Sequence, residues 1–218
     1  MTKTVASVLV MAFLTVSSTS GQIAVAPKVG TLGIGGDVAI GIANGVNARI
    51  GANWADLDID HDFSDISYEA NLDLQSFTAM LDWYAFGGSF RLTGGLIWNE
   101  NKASLDATPQ GTINIGGVDY PASDVVRLHA SVSYDNELVP YVGIGWGNPI
   151  GSKGRLGLLL DLGVAFTDAP KARLSATGPI SSDPTFQQSL KQEQDQLNDD
   201  LDQFRFYPVL ALSLFIRF

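Results

Sequence analysis

Two stretches of this 218-residue chain carry side chains that could do chemistry. In His129-Ala130-Ser131 an imidazole and a hydroxyl stand two residues apart. On an extended strand both point to one face, with Arg127 and Ser133 beside them. A histidine so placed can serve as the base that activates a serine, and Glu137 is the nearest downstream acid. Strand geometry alone produces the same spacing, so a polar pair lining an interior is the plainer reading. The second stretch is a D-x-D-x-D-x-D run at Asp56, Asp58, Asp60 and Asp62, with His61 inside it and Asp65 beyond. Alternate spacing gathers those carboxylates on one side, and Ca²⁺ takes six to eight oxygens. The run lacks the loop glycine and closing glutamate of an EF-hand, so a solvated acidic loop is the first reading and a cation site the second.

Composition removes most other chemistry. With no cysteine, a disulfide framework, a C-x-x-C redox pair and a thiolate zinc site are excluded. No Gly-rich phosphate loop, metal-spaced histidine pair or G-x-S-x-G elbow is present, so no cofactor is expected. The balance of 13 basic against 23 acidic residues, net −10, argues against a nucleic-acid partner. Hydrophobic residues make up 45% and charged ones only 17%, yet 23 glycines accompany them, which is poor material for a helical bundle.

The elements that hold these residues are strands. Residues 1–21 read as a cleaved export signal: Lys3, an apolar run from Val5 to Val16, then small residues from Ser18 to Gly21. The remainder, 22–218, is expected to form one domain. In Gly154 to Thr167 the even positions are Leu156, Leu158, Leu160, Leu162, Val164 and Phe166, while small or polar residues dominate the odd ones. The same period of two recurs around Ile34 to Ile42, Val46 to Trp54, Phe90 to Trp98 and Leu128 to Tyr134. Between Tyr68 and Trp83 the phase shifts near Gln75 and Ser76, which predicts a β-bulge. The polar face is rich in glycine and alanine and short of long charged side chains, unlike the wet face of a soluble sheet. It suits the inside of a narrow closed barrel with its large apolar residues turned to lipid.

Further signals concern the interior and the interfaces. Inward charges at Asp37, Arg49, Asp82, Arg91, Arg127 and Asp161 are expected to pair across the lumen and to occlude it, because unpaired buried charges are costly. Trp54, Trp98 and Trp146 each follow a turn-like segment by eight to ten residues and are expected at one height, with Trp83 in the opposite aromatic girdle. Asp183-Pro184 opens a predicted acidic helix over 184–204 with a thin apolar stripe at Phe186, Leu190, Leu197, Leu201 and Phe204. Thr112 to Tyr120 around Gly116-Gly117 reads as a hairpin.

The C-terminal YPVLALSLFIRF places Leu210, Leu212, Leu214, Ile216 and Phe218 on one face. An outward apolar row closing on phenylalanine resembles the last strand of bacterial outer-membrane β-barrel proteins, and the mature chain resembles the small OmpA-like and OmpW-like barrels. The resemblance implies an all-β transmembrane antiparallel up-and-down barrel in the cell outer membrane, facing lipid and lipopolysaccharide. It also implies insertion by the barrel-assembly machinery, with Leu214, Ile216 and Phe218 as the assembly signal. No appended peptidoglycan-binding domain is expected. Seven strands precede the acidic segment and one follows it, giving eight. If short turns share one end, two more strands are needed near Ile23 to Thr31 and Lys171 to Thr177, giving ten. The H-x-S spacing also resembles part of the catalytic pair of outer-membrane lipid A deacylases, which keeps an enzyme reading at His129 and Ser131 open. The leading expectation is a non-enzymatic envelope barrel with a structural or surface-interaction role. A narrow channel for small or apolar solutes is the alternative.

Overall fold

The structure, a computed structural model, describes residues 22–63, 66–151 and 153–218, with side chains at all of these except 59–63 and 66–68. The expected export signal, 1–21, lies outside the described residues. The strands in chain order are β1 Ile23–Gly30, β2 Gly33–Ala43, β3 Val46–Phe63, β4 Ile66–Trp83, β5 Phe90–Asn99, β6 Lys102–Thr108 and β7 Thr112–Ile115. Then come β8 Val118–Pro121, β9 Arg127–Ser133, β10 Leu138–Trp146, β11 Leu156–Phe166, β12 Lys171–Thr177 and, after helix α1 Pro184–Leu201, β13 Phe206–Arg217.

Eight of them close a barrel. The circuit β1-β2-β3-β4-β5-β10-β11-β13 returns to β1 through antiparallel pairing, so within the barrel each strand is paired on both sides. The count of eight therefore holds over ten, with a change of membership. Ile23–Gly30 is a barrel strand, whereas Arg127–Ser133, which the alternation had placed in the barrel, stands outside it. The β2–β3 turn Asn44-Gly45 and the β4–β5 and β10–β11 connections lie at one end with residues 23 and 218, while the two-residue β1–β2 turn Thr31-Leu32 lies at the other. The long excursions leave from that second end. These ends are called the turn end and the loop end below.

Outward positions are large and apolar. Leu156 and Leu158 are each 63% exposed, while Leu159 between Leu158 and Leu160 is 1% exposed. Along β11 the belt runs from Leu156 to Phe166, about 33 Å at the usual rise and about 25 Å high once tilted by about 40°. That is the thickness of hydrocarbon an outer-membrane barrel crosses, and a belt of this size in water would be a strong association site. Among the described residues no helix is long and apolar enough to cross a membrane.

Two expectations about strand detail are corrected. No bulge interrupts β4 at Gln75 and Ser76: its register with β3 runs unbroken from Val46↔Trp83 to Phe63↔Ile66. Phe77, Leu81 and Trp83 point out, and Leu72 and Leu74 share the inward parity of Ser76, Thr78 and Asp82. The backbone keeps its phase, but the medium outside it changes. Within the belt apolar side chains turn to hydrocarbon; above it they turn away from water. Nor do three tryptophans share a height. Trp54, opposite Ile34, and Trp98, opposite Leu138, sit at the loop end. Trp146, opposite Phe90, joins Trp83 at the turn end. Asn136 to Leu138 is the junction where β9 continues into β10, so counting from it runs downward. Edge-to-face contacts reinforce both girdles, Phe90 with Trp146 at 5.1 Å and Phe166 with Phe206 at 5.7 Å.

Above the belt, the upper halves of β3 and β4 continue into a second sheet in the order β3-β4-β6-β9-β12. Strands β6, β9 and β12 extend β5, β10 and β11 across short breaks. The β7–β8 hairpin and α1 pack against this sheet. Its hairpin turn is Gly116-Gly117, both residues at positive φ, as a two-residue turn of right-twisting strands demands.

Candidate functional site

The lumen and the loop-end module are two places that bring candidate functional residues together. In the lumen, Arg49 of β3 is the hub. Its guanidinium reaches Asp37 at 3.2 Å, Asp82 at 3.1 Å and Asp161 at 2.9 Å. Arg91 lies 2.7 Å from Asp161 and 3.4 Å from Asp82, and also donates to the carbonyls of Trp146 and Gly147. Lys28 meets Asp37 at 2.6 Å, and the Thr93 hydroxyl donates to Asp82 at 2.7 Å. Three cations, Lys28, Arg49 and Arg91, thus face three carboxylates, Asp37, Asp82 and Asp161, and the layer is electrically neutral. Six strands deliver these groups, so the layer is a girth-wise clamp that exists only when the barrel is closed. It needs glycine beside it: a Cβ at Gly51 would overlap the Asp37 carboxylate.

Apolar layers flank the charges. Ala26, Leu159 and Phe215 close one side, and Met80, Ile97, Val139, Tyr141 and Val209, with Leu32 from the β1–β2 turn, close the other. The cavity left above the ion layer measures about 30 Å³, room for a water molecule or two.

Of the six charges expected in the lumen, the structure brings five together and leaves Arg127 outside, exposed at the start of β9. Arg127 carries the same alternation as a barrel strand, but β9 belongs to the outer sheet. Lys28 was missed, although the parity of Ala24, Ala26 and Lys28 against Val25 and Val29 is visible in the sequence.

The loop-end module is built from a two-faced sheet. Register partners Leu105, Ala130 and Leu174 lie on one face, as do Ala107, Leu128 and Ala176. Helix α1 begins where Asp183 accepts from the Thr185 and Phe186 amides at 2.8 and 3.1 Å, with Pro184 in the first turn. It ends at Leu201, so Phe204, expected within it, lies beyond and is exposed. Phe186 and Leu190 pack on the apolar sheet face together with Ile115 and Val125.

A second set of bonds fixes the helix to the free edge of β12. Asn198 accepts from the Ala172 amide at 2.8 Å and donates to the Ala172 carbonyl at 3.3 Å, while Gln194 accepts from the Leu174 amide at 2.9 Å. Four residues along a helix rise about 6 Å and two along a strand about 6.6 Å, so two helical amides one turn apart match alternate strand residues. Side chains thereby stand in for a missing neighbour strand, which guards an edge that would otherwise pair with other chains. The hairpin holds the helix from the other side. The Gly116 amide donates to Glu193 at 2.9 Å, Tyr120 donates to Ser189 at 2.9 Å, and a Cβ at Gly116 would strike the Ser189 backbone.

On the opposite, polar face lie His129 and Ser131. The His129 Nδ1 meets Asp106, its cross-strand partner, at 3.1 Å. An orienting acid in a hydrolytic triad occupies such a position, and Asp106 takes it rather than Glu137. Among the described residues, however, no hydrogen bond joins His129 to Ser131. Along β3, Asp56 and Asp58 share the outward parity. The side chains of Asp60 and Asp62 lie outside the described residues, and Asp56 and Asp58 both accept from Asn71. Among the described residues no cluster of three or more His, Asp or Glu is placed to hold a metal ion.

Neither a protein-family model nor a curated protein matches this sequence. Solved structures do. CarO of Acinetobacter baumannii superposes with a TM-score of 0.62 at 20% identity, covering 89% of this chain and 97% of that one. The fold is that of the small bacterial outer-membrane β-barrels. CarO2 of the same organism gives a TM-score of 0.62 at 17% identity over 90% of this chain and 98% of that one. At such identities the shared property is the fold, a closed barrel whose outward belt and two aromatic girdles are present here.

Proposed function

We propose that this protein is a non-enzymatic resident of the outer membrane, in which a shut barrel anchors a folded module at the cell surface. The turn end faces the periplasm and the loop end faces outward, the usual assignment for short turns and long loops. One observation carries the reading: the lumen is filled by a neutral layer of paired charges between apolar layers, with a residual cavity of about 30 Å³. A conducting channel needs a continuous wet path, and here the centre is Arg49 clamped by carboxylates from three other strands. Helix α1 and the hairpin add a packed surface above that plug, consistent with surface interaction rather than transport.

Planar-bilayer recording of the refolded mature chain tests this. The expected trace is silent at moderate voltages, and stable, discrete conductance steps from a homogeneous preparation would overturn the closed-lumen reading.

A further inference from the structure

A cavity of about 200 Å³ lies between the apolar face of the outer sheet, the β7–β8 hairpin and α1. We propose that it is a preformed binding site for a small uncharged apolar molecule, on the scale of a substituted benzene ring. The inference deepens the surface-binding reading above and rests on it.

The walls argue for the ligand class. Leu105 and Ala107 of β6, Leu128 and Ala130 of β9, Leu174 of β12 and Leu190 of α1 supply an aliphatic lining. The polar groups at its edge are already engaged. Glu193 accepts from the Gly116 amide, and Asn114 donates to Asp119 at 2.6 Å. His129 and Ser175 alternate with the lining residues and so turn their side chains to the opposite face. A charged or strongly polar ligand would lose its hydration here and find no partner. An apolar cavity of about 150 Å³ lined by aliphatic and aromatic side chains stays dry and takes benzene, so this one holds a single ring with a small substituent.

The construction explains why the space persists. Asn198 and Gln194 tie one side of α1 to the β12 edge, and Gly116 abuts Ser189 on the other, so the helix bridges the sheet and is held from settling onto it. Leu105 remains 38% exposed at the rim, giving the cavity a mouth. A ligand entering it leaves water for contact with a poorly hydrated aliphatic wall, the driving force for apolar binding in a preformed pocket.

The test uses the full mature chain in lipid nanodiscs, labelled at isoleucine δ1 methyls and titrated with toluene. Ile113 and Ile115 flank the cavity, whereas Ile34 faces the belt and reports simple partitioning into lipid. The expected result is a saturable shift at Ile113 and Ile115 with only linear drift at Ile34. Ala130→Phe, which fills the cavity, weakens the saturable binding at least tenfold while heat-modifiable migration on gels is retained; Ala107→Leu replaces it should that variant fail to fold. Linear drift at all three methyls, or saturable binding unchanged in the filled variant, overturns the proposal. Bilayer recording separates the two readings: conductance with saturable toluene binding removes the shut lumen alone, and silence with linear drift removes the pocket alone.

Discussion

Replacing Arg49 by methionine removes the hub of the lumen layer while keeping a side chain of comparable length. The wild-type layer holds three cations and three carboxylates; the variant leaves Asp37, Asp82 and Asp161 facing only Lys28 and Arg91. One buried negative charge is then uncompensated, in a space with room for little water. Breaking a buried pair by deleting one partner costs about 3–5 kcal/mol. Arg49 contacts three carboxylates at 2.9–3.2 Å rather than one, which places the expected loss toward the upper end of that range. The assay is urea unfolding of the refolded barrel in vesicles, followed by tryptophan fluorescence and by heat-modifiable migration. Arg49→Met combined with Asp161→Leu restores neutrality, two charges against two, and is expected to regain at least half of the loss, because ion pairs replaced together by apolar residues are often nearly neutral. The reasoning fails if Arg49→Met costs under about 1 kcal/mol, or if the double variant loses the full sum of the two single ones.

Other consequences are as direct. Gly51→Val forces a side chain into the Asp37 carboxylate and should destabilise the barrel by about 1–3 kcal/mol, read in the same unfolding assay. Asn198→Leu strips the Ala172 amide and carbonyl of their partner; amide exchange at Ala172 and Leu174 should accelerate at least tenfold, while Leu159 in the barrel is unchanged. In vesicles with uniform insertion, an external aqueous quencher should reach single-tryptophan variants retaining Trp54 or Trp98 and spare those retaining Trp83 or Trp146. Finally, His129→Ala should leave the lipid A of producing cells indistinguishable from wild type by mass spectrometry, and any difference would reopen the hydrolase reading of Asp106, His129 and Ser131.

Much of the fold was legible because a strand writes its two faces into alternate residues. The row Leu156, Leu158, Leu160, Leu162 against Gly157, Asp161 and Gly163 told which side chains travel together, and abundant glycine told that the other face is crowded. The lumen charges Asp37, Arg49, Asp82, Arg91 and Asp161 follow from the same parity, since each falls on the minor, polar face. Parity does not say where a strand sits, however. Arg127 and His129 alternate like barrel residues and yet lie in a sheet beyond the belt.

The linear order of residues therefore carried the architecture class, the outward belt, the acidic helix with its Asp183 cap and the glycine turn of the hairpin, all of which depend on neighbours a few positions apart. Folding in three dimensions settled the remainder, because each of these facts is a relation between distant segments. Closure through β1 and β13 sets the strand membership. The meeting of six strands makes scattered charges a neutral plug, and a change of surroundings from hydrocarbon to water reverses the apolar face of β4 without bending it. The matched rise of Gln194 and Asn198 against Ala172 and Leu174 turns an acidic helix into the guard of a sheet edge, and beneath it a cavity that no local pattern announces.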